Sequence, residues 1–203
     1  MSKEKTTKAK RSKGRPVTFN KKRLINKAIE VYWSNDPSNI SVSALCENAG
    51  VSKPSLYREF GNEDGLTAAV LEHYMKKVSI EFGAILNTDK KFSVRVNNLI
   101  NFCSSDQFFN SGCLYFKMRS SRFRFGPRTQ KKINQIEEEA LALYLSFLKN
   151  GQKSGEWKSP IPIKLAALYL YEQIYLTLSQ RAFKDDPRSI KAMLKVSLSI
   201  FLN

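Results

Sequence analysis

Residues 41–60 read Ser-Val-Ser-Ala-Leu-Cys-Glu-Asn-Ala-Gly-Val-Ser-Lys-Pro-Ser-Leu-Tyr-Arg-Glu-Phe, and their spacing decides the fold. Ser41 is placed to cap a first helix, because a serine oxygen takes up N–H groups that the first turn leaves unpaired. Leu45 and Ala49 then share one face at i, i+4. Gly50 stands where that helix must stop, a position that favours a residue free to adopt positive φ. Ser52 caps a second short helix, and Pro54 is tolerated in its first turn, where N–H groups lack partners anyway. Leu56 and Phe60, again i, i+4, point inward. Lys53, Ser55, Tyr57 and Arg58 are left for the outer face. This is the layout of a helix-turn-helix that reads DNA.

The flanks extend the pattern. Thr18 to Trp33 reads as an amphipathic helix with Leu24, Ile25, Ala28, Ile29 and Tyr32 on one face. Gly61-Asn62-Glu63-Asp64-Gly65-Leu66 opens a further helix, with acids in the first turn where the helix dipole favours them. From Gly14-Arg15-Pro16 through Tyr74, the run resembles the DNA-binding domain of the TetR/AcrR family of bacterial regulators. The string Ala49-Gly50-Val51-Ser52 followed by Leu56-Tyr57-x-x-Phe60 carries the resemblance, which covers about sixty residues. It implies an all-α fold: an N-terminal three-helix DNA-binding domain and a C-terminal helical ligand-binding and dimerisation domain. The expected division is a basic arm at 1–16, a DNA-binding domain at 17–64 and a regulatory domain at 65–203. By the same resemblance, Lys53, Ser55 and Tyr57 stand where the family contacts phosphates and bases; Pro54 and Arg58 are expected at the same DNA-binding face, with Ser41, Ser43 and Ser52 at helix N-termini that can hold a phosphate. Arg58 can donate to guanine O6 and N7. Glu63 departs from the pattern, since the family often has Lys there and a carboxylate repels phosphate.

Composition agrees with a polyanionic partner. The chain of 203 residues has a net charge of +16 and a pI near 9.8, and each phosphate neutralised by such charge releases counterions. Seven basic residues and one acid lie between Lys3 and Arg15, in a segment without apolar periodicity. Within it, Lys13-Gly14-Arg15-Pro16 resembles a minor-groove arm, with Arg15 as the inserted cation. No apolar run approaches the ~18 residues of a transmembrane helix, and no apolar region follows the basic N-terminus as in a secretory signal. Cys46, Cys103 and Cys113 are odd in number and widely spaced, which fits a reducing cytoplasm rather than a disulfide framework. The expected location is the cytoplasm, on the nucleoid when DNA is bound.

The remainder reads as helices. Val96, Leu99, Ile100 and Cys103 mark one. A long helix is expected from Pro127 to Asn150-Gly151, carrying Ile133, Ile136, Ala140, Leu143, Tyr144 and Phe147. Ser159-Pro160 precedes another, and Asp186-Pro187 starts the last, to Phe201. Residues 106–126 read as irregular, with a short helix around Leu114–Met118. The aromatic residues of this half, with both cysteines, offer an apolar ligand pocket or an ordinary core: Phe102, Cys103, Phe109, Cys113, Phe116, Phe147, Tyr169 and Glu172. The two final helices are apolar on more than one side. Ala167, Leu170, Ile174, Leu178, Ile190, Leu194 and Phe201 are therefore expected at a homodimer seam, which the resemblance also implies. A two-fold dimer sets two recognition helices about 34–36 Å apart, facing a palindromic operator. Residues 117–132 hold Lys117, Arg119, Arg122, Arg124, Arg128, Lys131 and Lys132 without an acid, as a solvated basic loop or an anion site. No catalytic constellation, metal-ligand set or cofactor motif emerges. The expected function is a DNA-binding regulator, in all a repressor released by a small-molecule effector. A charge-driven, non-specific nucleic-acid binder is the alternative.

Overall fold

The structure is a computed structural model that describes residues 20–105, 107–183 and 185–202. The basic arm, Arg15 and Thr18 lie outside the described residues. Nine α-helices and four 3-10 turns make up the described chain. The helices are α1 (Lys21–Ser34), α2 (Val42–Ala49), α3 (Lys53–Phe60), α4 (Glu63–Leu86), α5 (Phe92–Ser105), α6 (Leu114–Ser120), α7 (Pro127–Lys153), α8 (Ile163–Ala182) and α9 (Pro187–Leu198).

Local capping sets the N-terminal unit. Asn20 accepts the Arg23 amide to start α1, Ser41 accepts the Ala44 amide to start α2, and Asn62 accepts the Gly65 amide to start α4. Gly50 adopts φ 66° and ends α2 with bonds to its last carbonyls. Leu24, Ala28, Leu45, Leu56 and Leu66 are each at most 1% exposed and form the small core between α1, α2, α3 and the start of α4.

Helix α4 runs 24 residues, about 36 Å, and belongs to both halves. Its first turns pack on α1 and α3 and its later turns on α5, while α7 runs along it from Asp64 onward. Tyr32 and Thr67 bond hydroxyl to hydroxyl at 3.0 Å where α1 crosses it. Helices α5 to α9 form the C-terminal bundle around Phe82, Leu99, Phe109, Leu114, Ile133, Phe147 and Leu170.

The segment expected to be irregular contains α6 between two 3-10 turns, Gln107–Phe109 and Arg122–Arg124. The last helix reaches Leu198 and tightens into a 3-10 turn to Phe201. Helix α7 does not stop at Gly151 but continues to Lys153. Gly151 is buried there because a Cβ would meet the Phe92 ring at 2.6 Å. Phe92 in turn stacks on Phe147, with ring centroids 4.6 Å apart. The glycine makes room for an aromatic stack rather than a helix end.

The seam expectation is corrected. Ala167, Leu170, Ile174, Leu178, Ile190, Leu194 and Phe201 are all buried within a single chain, where α8 packs on α5 and α7 and α9 packs on α5 and α8. The exposed apolar residues of these helices are Leu165, Leu168 and Leu176 on α8 and Met193 and Val196 on α9. A helix with two apolar stripes does not reveal, from periodicity, which stripe meets its own core.

Candidate nucleic-acid interface

Helix α3 is eight residues long and stands between two glycines, Gly50 and Gly61, both at positive φ. Leu56 and Phe60 anchor it from beneath. Ser52 accepts the Ser55 amide and donates its hydroxyl to Ser55 Oγ at 2.9 Å. That closes the first turn and leaves Lys53, Pro54, Tyr57 and Arg58 together on the exposed face. Tyr57 is 42% exposed, an unusual place for a ring without a partner. Ser41 is exposed at the start of α2, while Ser43 is half-buried. Glu59, on the flank, is neutralised by Lys21 at 2.8 Å. Glu63 is exposed at the start of α4, where its carboxylate would repel a phosphate.

The orientation of this face is fixed by contacts that run far along the chain. Lys117, on α6, donates to the carbonyls of Tyr32, Trp33 and Asn35 at 3.1, 3.0 and 2.6 Å. A cation at the C-terminal end of α1 meets the carbonyls that the helix leaves unpaired. Burial holds the Lys117 ammonium below its ordinary pKa, with Asp36 acting the other way. Arg124 pairs with Asp36 at 3.0 Å. Asp64, in the first turn of α4, accepts the amides of Arg128 and Thr129 at 2.8 and 3.0 Å. It thereby caps the N-terminus of α7. The Arg128 guanidinium reaches the Phe60 carbonyl at the end of α3, 3.2 Å away.

Much of the basic run 117–132 is paired within the chain rather than left to solvent. Its cations clasp the two halves together and brace the bundle: Arg119 bonds Glu137 at 3.0 Å and Glu172 at 3.1 Å, and Lys132 lies 3.9 Å from Glu72. Sequence reading misses this because the acids and carbonyls involved are remote in the chain.

A cavity of about 70 Å³ opens in the bundle between α4, α6, α7 and α8. Of the expected pocket residues, Cys113 and Phe116 line it. The others are elsewhere. Phe102 and Phe109 pack edge-to-face on each other and on Phe82. Cys103 is fully buried, Phe147 stacks on Phe92, Tyr169 donates to the Ser197 carbonyl, and Glu172 faces Arg119. The missed lining comes largely from α4 and α7: Met75, Val78, Phe82, Ile136, Ala140, Leu143 and Tyr144. The apolar face of α7 is legible in sequence, but nothing there separates the positions that fill the core from those that border a void.

Burial pushes the thiols of Cys46, Cys103 and Cys113 up, so all three rest as thiols rather than nucleophilic thiolates. His73, half-buried on α4, is pushed down by desolvation and by Lys77, Lys22 and Lys76. Among the described residues no group of three or more His, Cys, Asp and Glu can hold a metal ion, and no helix is long and apolar enough to cross a membrane.

Comparison with known proteins bears on the same region. The profile of the bacterial regulatory proteins of the tetR family matches residues 24–70, from α1 into α4. The HTH-type transcriptional repressor ComR of Escherichia coli K12 is 33% identical over 91 residues, 45% of this chain and 43% of that protein. The chain thus spans less than half the length of this curated relative. Solved structures extend the likeness of fold to nearly the whole chain. A cysteine mutant of the TetR-family regulator CifR, complexed with a 26-bp operator duplex, superposes with a TM-score of 0.76 at 19% identity, covering 91% of this chain and 98% of that one. The regulator FadR of Bacillus subtilis, in complex with stearoyl-CoA, gives 0.71 at 19% identity, covering 91% and 98%.

Proposed function

We propose, from the premise that this chain belongs to the TetR/AcrR family of bacterial regulators, that it is a transcriptional repressor. It binds a palindromic operator as a homodimer and leaves it when a small molecule occupies the bundle. The observation that carries this reading is the exposed face of α3, where Lys53, Pro54, Tyr57 and Arg58 stand together on a helix anchored by Leu56 and Phe60. In this reading α3 enters the major groove, Arg58 and Tyr57 meet bases and phosphates, and Ser41, Ser43 and Ser52 hold phosphates at helix N-termini. Arg15 and the basic arm add sequence-independent attraction. The protein acts by binding, not by catalysis, and works in the cytoplasm.

An effector shifts the population only by its differential affinity for the DNA-competent and DNA-incompetent arrangements. The clasp through Lys117, Asp64 and Arg128 joins the cavity-bearing bundle to the N-terminal unit, so it is where the two arrangements must differ. Two of the cavity's walls, α6 and α7, supply that clasp.

The test is selection from a library of genomic fragments in 150 mM salt. A repressor enriches one two-fold symmetric site with half-sites about one helical turn apart. The net charge of +16 favours a second reading, charge-driven binding without sequence preference, and enrichment of no common site would establish that reading instead.

A further inference from the structure

The buried wall of the cavity carries a polar group that the fold does not use. Four tyrosines lie in or beside its walls: Tyr74, Tyr115, Tyr144 and Tyr171. Tyr74 donates to Cys113 Sγ at 3.5 Å, and Tyr115 and Tyr171 bond each other through their hydroxyls at 2.9 Å. Tyr144 lines the cavity and is 4% exposed. Its ring packs edge-to-face on Phe82, yet its hydroxyl has no hydrogen-bond partner among the described residues. A phenol set in an apolar wall is a donor that a matching acceptor can satisfy. The open space in front of Tyr144 is where that acceptor belongs.

We infer that this cavity receives a small, uncharged, mainly apolar molecule with one hydrogen-bond acceptor, of the short-chain ketone or ester class, whose oxygen accepts from Tyr144. The inference rests on the effector reading above for its biological use, but not for its chemistry. Three features set the class. The walls are aliphatic and aromatic, with Val78, Phe82 and Ile136 around the void, so most of the ligand is apolar. Neither lysine nor arginine lines it, and its one ionisable carboxylate, Glu139, is exposed. An acid would therefore lose its hydration without gaining a counter-ion. The volume of about 70 Å³ is small for a ligand cavity, which excludes a long acyl tail and leaves a short chain.

The full-length chain is titrated with 2-pentanone, and separately with pentanoate, by calorimetry in the absence of DNA. Pentanone is expected to bind and pentanoate not to. Tyr144→Phe, which keeps the ring and its contact with Phe82, is expected to weaken pentanone binding three- to tenfold, the worth of one neutral hydrogen bond. Ala140→Leu, which fills the void from α7, is expected to abolish it. Melting temperatures of both variants check that the fold persists. Tighter binding of pentanoate, equal affinity in wild type and Tyr144→Phe, or no binding of pentanone to a folded wild type would each overturn the inference. Release of the selected operator is then measured with pentanone present. Binding through Tyr144 without release would leave this ligand assignment standing and sink the effector reading instead.

Discussion

Gly65 shows how little freedom the recognition unit has. A Cβ at this position would lie 2.0 Å from the Phe60 carbonyl oxygen, the atom that also accepts from Arg128. The end of α3 is seated directly on the first turns of α4, and only a residue without a side chain permits it. Gly65→Ala must push backbone away, at a cost of about 1–3 kcal/mol. A lower melting temperature with weaker operator binding is the expected outcome, and an unchanged melting temperature would show that the contact yields freely. Arg58 is the opposite case, exposed and without structural duty. Arg58→Ala should leave stability within about 0.5 kcal/mol and relax discrimination at one base position by about 1–3 kcal/mol. Binding to a panel of single-base operator variants reads this directly. Both residues belong to the part that sequence discloses well. Caps at Ser41, Ser52 and Asn62 act within three residues, so local spacing contains the whole interaction.

Between elements the sequence is a poorer guide. Helix α7 begins Gly126-Pro127 with no side chain of its own to cap it, and the missing acceptor is supplied by Asp64, more than sixty residues earlier. No local rule pairs these positions. A long basic run without acids is a surface by composition, yet Lys117, Arg124 and Arg128 are spent on carbonyls and carboxylates of the other half. Asp64→Ala leaves the Arg128 and Thr129 amides without their cap, at a cost of about 0.5–2 kcal/mol. Because the lost bonds hold α7 to α4, operator affinity should fall while the exposed face of α3 is untouched. A variant with lowered melting temperature and full operator affinity would mean that the clasp supports stability alone. Gly151 teaches the same lesson in reverse, since a glycine near a helix end reads as a stop until Phe92 is seen against it.

At the scale of the whole molecule, the apolar residues left over on α8 and α9 are the surface through which the proposed homodimer would form. Leu165, Leu168 and Leu176 share one side of α8, and Met193 and Val196 stand out on α9, with Val196 75% exposed. Large apolar residues left exposed on two packed helices are candidates for an association site, and a two-fold pairing of chains is what a palindromic operator needs. Leu168→Glu should yield a folded monomer by light scattering, because burying an unpaired carboxylate costs several kcal/mol. Its operator binding should drop with the loss of the second half-site. A dimeric Leu168→Glu would place the contact elsewhere. Both stripes of these helices are visible in sequence, but choosing between them requires knowing which faces α5 and α7.

The three sealed thiols turn the molecule into its own stopwatch. Cys46 sits on the buried face of α2, and Cys103 and Cys113 sit in the bundle; each is at most 5% exposed and kept protonated by burial. An alkylating reagent can reach them only when the surrounding structure opens, so each half carries its own timer. The smaller N-terminal core should open first, making Cys46 the earliest site modified when digests are followed by mass spectrometry. Cutting the Asp64 cap should widen the interval between the two timers. Simultaneous modification of all three sites would instead reveal a chain that opens as one piece, with the clasp stronger than either core it joins.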